Sequence, residues 1–302
     1  MKAEPIIVEE SSIIKKSNLL ARAAWSPDSI WESRLVAIVA AQVQQDDEDF
    51  TMYRVLVTDL LAGADVTNTG RVYKALDELT DKAMTRLLKI KEGRSWVKYT
   101  LFSKCQFTEG ERSLLVRFDP DLKPHYLELK KHFTTYSLTE YLSLPSTYSQ
   151  RIYEILRSWD DCITTEISTA DLHEMLCTPP SLRKNFAAFR RRVLDKSHKD
   201  ITSKTRMRFE WEPIKKGRKV VAVRFYMGRK TMEKAAKKNK QIKQQKQSDK
   251  NNALFHAAVQ CATQHPDGCG HLRGTKDCCK ACMEKPKKTV ETELDLFNQE
   301  KN

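Results

Sequence analysis

The sequence has no long apolar run. The longest, residues 35–41, is far shorter than the roughly 20 residues that a membrane-spanning helix needs. Residues 1–16 hold only a short apolar stretch broken by acidic residues, unlike a secretory signal peptide. We therefore expect a cytoplasmic protein that contacts no membrane. Its eight cysteines should be reduced thiols or metal ligands rather than disulfides.

Motifs for catalysis are also missing. No two histidines stand one residue apart, as in the metal-binding pair of a rolling-circle nickase, and the P-loop pattern G-x-x-x-x-G-K-[ST] is absent. Asp119 and Asp121 would suit a two-metal carboxylate pair, but the proline between them favours a turn. We expect no enzyme and no required cofactor.

Acidic residues are fewer than basic ones in this sequence. The 302 residues carry 53 lysines and arginines against 40 acidic residues, a formal charge of +13. With 40% hydrophobic residues, the chain can bury the cores of two modest domains. Such a basic bias indicates a polyanionic partner, and nucleic acid fits it better than an acidic membrane surface.

One structural unit occurs twice. In each copy, apolar residues spaced 4, 3 and 4 apart predict a helix, and two strand-like runs joined by a glycine-containing turn follow it. The helices and turns are marked by Val72, Leu76, Leu79, Ala83 and Gly93 in the first copy, and by Leu182, Phe186, Phe189, Val193 and Gly217 in the second. A short amphipathic segment precedes each helix, with Ser168 as the cap of the second. This order predicts an α+β fold with two tandem winged helix-turn-helix domains, although two unrelated helix–hairpin pairs would give the same pattern.

Composition and pattern divide the chain into five segments. We predict a loose arm at 1–16, winged-helix domains at 17–136 and 137–229, a solvated or disordered basic linker at 230–252, and a Cys/His-rich tail at 253–302. Two more amphipathic helices are expected. One follows Ser29, with Glu32 closing a capping box and one apolar face buried; the other spans 148–159.

The second unit carries the stronger DNA-binding pattern. With its apolar residues turned inward, its helix presents a cationic face made of Arg183, Lys184, Ala187, Ala188 and Arg191, flanked by Arg190 and Arg192. Small alanines allow close approach to a groove, and arginines can pair bidentately with guanine. At the hairpin tip, phosphates or the minor groove would be met by Lys215, Lys216, Arg218 and Lys219. The competing interpretation is a solvated charged face.

The first unit is a weaker candidate. Its helix exposes Lys74 beside Asp77, Glu78 and Asp81, and carboxylates repel phosphates. Lys74 is still a candidate DNA-binding residue. Contacts to the DNA backbone would come from the helix start and the hairpin, namely from Thr69, Arg71, Lys89, Lys91, Arg94 and Lys98. We predict an unequal pair of domains in which the second dominates binding.

These residues also resemble a known family. The segment that begins FRRRVL at Phe189 and continues through M-R-F-E-W to I-K-K-G-R-K-V, the junction Y-S-L at Tyr136, and the helix Y-S-Q-R-I-Y-E at Tyr148 are similar to the replication initiators of iteron-containing, theta-replicating plasmids, of the F-plasmid type. The likeness runs from about residue 17 to residue 227.

The resemblance implies two winged-helix domains that bind repeated origin sequences called iterons. It implies that the second domain makes the main base contacts, and that Arg183, Lys184, Arg190, Arg191 and Arg192 belong to its recognition helix. Monomers would bind iterons and open the origin, with recruitment of a host helicase. Homodimers, joined mainly through the first domain, would repress their own gene. A repressor without a replication role, or a nicking or polymerising enzyme with an unfamiliar site, remain the alternatives.

The tail contains two motifs that the resemblance does not cover. Cys279 and Cys282 form a C-x-x-C pair suited to zinc, and Cys261 and Cys269 are the simplest further ligands, with His265 or His271 as substitutes; unliganded thiols are the alternative. Near the end, residues 293–297 resemble the bacterial sliding-clamp-binding pentapeptide, with Leu294, Asp295, Leu296 and Phe297 in matching positions. A terminal amphipathic turn that packs on its own protein is the other interpretation.

Overall fold

The computed structural model describes residues 11–61, 69–108, 111–129, 132–227, 244–245 and 247–248. Its helices are α1 (Asn18–Ala21), α2 (Ile30–Gln42), α3 (Val57–Leu60), α4 (Thr69–Thr85), α5 (Lys123–Tyr126), α6 (Leu138–Ser143), α7 (Thr147–Arg157), α8 (Thr169–Met175), α9 (Pro180–Lys184), α10 (Phe186–Phe189) and α11 (Lys196–Lys204). Its strands are β1 (Ile13–Ser17), β2 (Tyr53–Leu56), β3 (Leu87–Glu92), β4 (Ser95–Thr100), β5 (Phe102–Thr108), β6 (Ser113–Phe118), β7 (Phe133–Ser137), β8 (Thr164–Ser168), β9 (Phe209–Lys216) and β10 (Lys219–Met227). No helix within these ranges is both long and apolar enough to cross a membrane.

Both predicted helix–hairpin units are present, which gives two winged-helix domains. In the first, α3 and α4 lead into the hairpin β3–β4. In the second, α8 is followed by the short α9, and the continuous helix from α10 to α11 leads into β9–β10. Each hairpin turns through two residues of which the first is glycine, Gly93 with φ +59° and Gly217 with φ +63°. A type II′ turn needs positive φ at this position, and glycine reaches it without a steric penalty.

The first domain contains an additional sheet that the repeat did not predict. Its strand β2 pairs with β6 instead of with the wing, and β5 pairs with the other edge of β6, in the order β2–β6–β5. In the second domain, β8 pairs directly with the wing in the order β8–β10–β9. There Arg224, on the central strand, bonds to Glu166 at 2.7 Å and to Glu212 at 2.9 Å, so one guanidinium ties the three strands together.

Helix α2 is the central helix of the first domain, and the expectation of a single buried face is wrong. It packs against α4, α6, α7, β1 and β2, and its polar Glu32 and Ser33 are buried too. Ser29 caps it as predicted, by accepting the Glu32 amide at 3.1 Å. The Glu32 carboxylate accepts the Asp28 amide at 2.7 Å, so the return bond of the capping box falls one residue earlier than expected.

The N-terminal strand corrects a second prediction. Residues 13–16 belong to β1, which pairs antiparallel with β7, so the loose arm cannot extend through residue 16. Lys16 is buried there and bonds to Glu154 of α7, and Arg151 bonds to the same carboxylate. A buried carboxylate requires such partners, because an uncompensated charge inside a protein is strongly unfavourable.

Helix α7 joins the two domains. Its Arg151 donates to the carbonyl oxygens of Ala21 at 3.3 Å and Ala23 at 2.8 Å, next to α1. On the other side, Ser149 donates to Asp200 of α11 at 2.7 Å. The predicted zinc ligands Cys261, Cys269, Cys279 and Cys282, the pentapeptide at residues 293–297 and nearly all of the basic linker lie outside the described residues.

Candidate nucleic-acid interface

The recognition helix of the second domain begins at Phe186 and ends at Lys204. It consists of α10, a π-helical segment (Arg190–Asp195) and α11 without interruption. Asn185 lies just before it in an extended conformation and caps it, accepting the Ala188 amide at 3.0 Å. The helix predicted to run from Leu182 through Val193 is therefore broken, since the Asn185 cap starts a new helix inside that pattern.

Arg183 and Lys184 accordingly lie on α9, and their assignment to the recognition helix is wrong. Arg183 donates to the carbonyl oxygen of Thr178 at 2.7 Å and is 3.5 Å from that of His173. Both carbonyls belong to the turn at the end of α8. The guanidinium therefore holds α9 against α8, which makes Arg183 a positioning residue, while Lys184 is exposed beside it.

The turn after α8 has the bonds of a Schellman motif. The Cys177 amide donates to Glu174 at 3.0 Å and the Thr178 amide donates to His173 at 3.1 Å. Cys177 has φ +45°, a left-handed conformation in which glycine is the usual residue. This turn directs the chain from α8 toward the recognition helix.

The two helices of the helix-turn-helix are packed through His173 and Phe189. Their ring centroids are 4.3 Å apart, and the His173 Nδ1 lies 2.8 Å from the Thr178 hydroxyl. Burial, together with the charge of Arg183, lowers the pKa of His173. A neutral imidazole therefore fills this contact at neutral pH and fixes the recognition helix on α8.

The outer face of the recognition helix carries two exposed arginines. Ala187, Arg191 and Arg192 are exposed, while Phe189 and Val193 are fully buried on the opposite side. With the described residues, the Arg191 and Arg192 side chains form no ion pair or hydrogen bond. Two cations held on a rigid helix beside a small alanine suit the floor of a DNA major groove.

Arg190 behaves differently from its neighbours. Its Nε lies 3.2 Å from Asp195, five residues on, a spacing that the π-helical segment brings to one side. Its guanidinium also lies 5.5 Å from the ring centroid of Trp211 in β9. Arg190 thus links the recognition helix to the wing.

The wing tip concentrates four exposed cations, Lys215, Lys216, Arg218 and Lys219. Lys216 and Lys219 are directly opposite each other across the hairpin. Like charges in this position repel, and a phosphate between or beside them relieves the repulsion. Among the described residues none of the four has an ion-pair partner.

Among the described residues, α4 and the β3–β4 hairpin expose fewer unpaired cations than the recognition helix and wing of the second domain. On α4, Lys74 is exposed beside the exposed Asp77, Glu78 and Asp81, as predicted. Thr69 begins α4, but the side chains of Thr69 and Arg71 lie outside what the structure describes. In the hairpin, Arg94 and Lys98 are exposed, whereas Lys89 and Lys91 pair with acidic residues of α8.

Sequence reasoning missed some candidates on the far half of the recognition helix. Lys196 and Lys199 are exposed there, because the buried stripe continues through Ser197 and Ile201. The signal was present, since the helical spacing extends past Val193. Trp211 was missed because nothing in the order of residues relates it to Arg190.

Comparison with known proteins places both domains in one family. The model of the initiator replication protein domain WH1 matches residues 13–157, and that of WH2 matches residues 168–227. An uncharacterized 27.6 kDa protein of Escherichia coli is 25% identical over 208 residues, 64% of this chain and 85% of that protein. The crystal structure of the Pi initiator protein in complex with iteron DNA covers 73% of this chain and 98% of its own, with a TM-score of 0.59 and 20% identity. That likeness is one of fold.

Proposed function

This chain belongs to the initiator replication protein family, and on that premise we propose that it starts replication of a plasmid by binding iterons in the origin. The supporting observation is the surface shared by the recognition helix and the wing tip, where Arg191, Arg192 and the four wing cations lack protein partners among the described residues. The Pi initiator, which shares the fold, has been crystallised with iteron DNA.

The second domain makes the base contacts in this proposal. Arg191 and the neighbouring Arg192 read base edges in the major groove. The small side chain of Ala187 lets the recognition helix come close to the bases. Lys184 and the wing cations bind the flanking phosphates. The first domain adds contacts to the DNA backbone through Arg94, Arg71 and the start of α4. The acidic residues on the exposed face of α4 limit the affinity of this domain for DNA.

Origin opening then follows from binding several copies. Initiators on adjacent iterons bend or strain an A·T-rich neighbour, whose weaker pairing gives way first. Exposed surfaces of the bound copies recruit a host helicase and other replication proteins. A homodimer of the same chain binds its own promoter and represses it. None of these steps breaks a covalent bond.

The test is to footprint the protein on DNA around its gene and to ask whether that DNA replicates. We expect protection of tandem direct repeats of about 20 base pairs, two helical turns, beside an A·T-rich tract. A plasmid carrying the gene and these repeats, without another origin, should be maintained, and Arg191→Ala should abolish maintenance while Lys74→Ala does not. Protection of one inverted repeat, with no maintenance, would mean a repressor instead.

A further inference from the structure

Two lysines on the wing of the first domain contact the second domain. Lys89 Nζ lies 2.7 Å from Glu174 Oε1 on α8, and Lys91 Nζ lies 3.6 Å from Glu174 Oε2 and 3.9 Å from Asp171 Oδ1. These four side chains, which we call the interdomain latch, join the β3–β4 hairpin to the first helix of the second helix-turn-helix.

The Lys89–Glu174 pair of the latch has structural supports that an isolated surface ion pair lacks. The backbone of Lys89 is fixed by two bonds with Ala24, at 2.8 and 3.0 Å. The Trp96 ring centroid lies 5.7 Å from its ammonium group, which restricts the side chain further. The hydrogen bond from Lys89 is the main cause that lowers the pKa of Glu174. Less conformational freedom is lost on pairing, so more of the attraction remains as stabilisation.

Further contacts connect the interdomain latch to the recognition helix on one side and to the first domain on the other. Next to Ala24, the Ala23 carbonyl accepts from Arg151 of α7 at 2.8 Å. Beyond Glu174, His173 packs on Phe189. These contacts form a continuous path from the recognition helix through the latch to the first domain.

We propose that Lys89 and Glu174 are positioning residues that fix the relative orientation of the two DNA-binding domains, so that both meet one iteron at a set spacing. In this proposal, which rests on the proposed function, the two wing lysines act on protein carboxylates and do not bind DNA phosphates. Binding two preset domains avoids the entropy of orienting the second after the first has bound.

The test uses charge reversal and exchange. We expect Lys89→Glu and Glu174→Lys each to weaken iteron binding about fivefold, the range of a well-ordered surface pair, and the double exchange to restore it to within about twofold. Lys82→Glu is the matched control, since Lys82 is exposed on α4 of the same domain and has no ion-pair partner among the described residues. It makes the same charge change away from the latch, so it should weaken iteron binding less than Lys89→Glu does.

Phosphate contact by Lys89 predicts the opposite pattern. Glu174→Lys would then leave binding unchanged or strengthen it, and the double exchange would stay as weak as Lys89→Glu, which would overturn the proposal. Inserting one base pair between the footprints of the two domains gives a further readout. The insertion should weaken DNA binding by the wild type at least about tenfold. It should weaken binding by the two reversal variants less, because without the latch one domain can shift to reach its displaced site. Equal losses would contradict the latch.

A readout without DNA separates this inference from the proposed function. Amide hydrogen exchange in α8 and β3 should increase in both reversal variants and return to the wild-type rate in the double exchange. Unchanged exchange in the reversal variants would overturn the latch even if iterons are bound. If the full-length wild-type chain binds no iteron, the proposed function fails. The latch still stands in that case if the reversal variants and the double exchange show this exchange pattern.

Discussion

The guanidinium of Arg190 lies 5.5 Å from the ring centroid of Trp211, so the recognition helix and the first wing strand are joined by a cation–π contact. Such a contact contributes about 0.5–1 kcal/mol at exposed sites. Asp195 holds the same guanidinium from the helix side at 3.2 Å. Of the three consecutive arginines, one therefore stabilises the DNA-binding surface and two extend from it.

The first prediction compares Arg191 with Arg190. Arg191→Ala should weaken iteron binding by about 1–3 kcal/mol, because it removes a base-reading group. Arg190→Ala should weaken it less, yet lower the unfolding free energy by about 0.5–1 kcal/mol through loss of the Trp211 contact. Titration of labelled duplex and urea denaturation measure the two effects. If Arg190→Ala weakens binding more than Arg191→Ala does, the assignment of base reading to Arg191 is wrong.

The second prediction concerns Arg183 as a positioning residue. Arg183→Ala should lower the unfolding free energy by about 1–2 kcal/mol, because two carbonyls at the end of α8 lose a charged donor. Chemical denaturation of this variant and of the matched control Lys184→Ala checks it. The control should unfold like the wild type. Equal stability of both variants would show that Arg183 is free to contact DNA.

The third prediction addresses the strained turn. Cys177→Gly should raise the unfolding free energy by about 0.5–1 kcal/mol, since glycine adopts φ +45° without the steric cost that a side chain incurs. Cys177→Ala keeps a β-carbon and should not stabilise. Thermal unfolding of the wild type and the two variants tests this prediction. A Cys177→Gly variant less stable than the wild type would contradict backbone strain at Cys177.

The fourth prediction concerns the buried carboxylate of Glu154 on α7, which Lys16 and Arg151 surround. Burial acts to raise the pKa of Glu154, but the charges of Lys16 and Arg151 outweigh it, so the pKa lies below the usual 4.5. A lowered folded pKa means that the carboxylate stabilises the fold above about pH 4.5, and that this contribution is lost as pH falls through the folded pKa.

Replacement of that carboxylate gives the measurement. Glu154→Gln leaves two buried cations without a counter-charge and should cost about 3–5 kcal/mol near neutral pH. The cost should shrink as pH falls from about 4.5 through the lowered folded pKa, because the wild type then loses the same contribution. Unfolding free energies from pH 3 to 7 test this, with the exposed Glu128→Gln as the control. A cost that does not change with pH would mean that Glu154 is not ionised in the fold.

The sequence predicted the winged-helix units well, because their signals are local. Apolar spacing placed Val72 and Phe189 in the core, and Gly93 and Gly217 mark the turns that need positive φ. Contacts between distant segments leave no such signal. The pairing of β1 with β7, the Lys89–Glu174 bond and the Arg190–Trp211 contact depend on how the elements meet in space.

The assignment of Arg183 failed for a related reason. Its helical phase with Phe186 and Phe189 was correct over the whole segment, but Asn185 is a good N-cap and starts a new helix between them. Spacing alone cannot distinguish one long helix from two short ones in the same phase. An asparagine three residues before Ala188 was the available signal.

The most direct test of the central claim, that the face bearing Arg191 reads bases in the major groove, replaces single guanines of the iteron by 7-deazaguanine. This base keeps its pairing but lacks the N7 acceptor that arginine uses. We expect at least one position at which the substitution weakens wild-type binding about tenfold, a loss of about 1.4 kcal/mol, and has no further effect on Arg191→Ala. If no guanine position weakens wild-type binding, or if the loss persists in full in Arg191→Ala, the claim is contradicted.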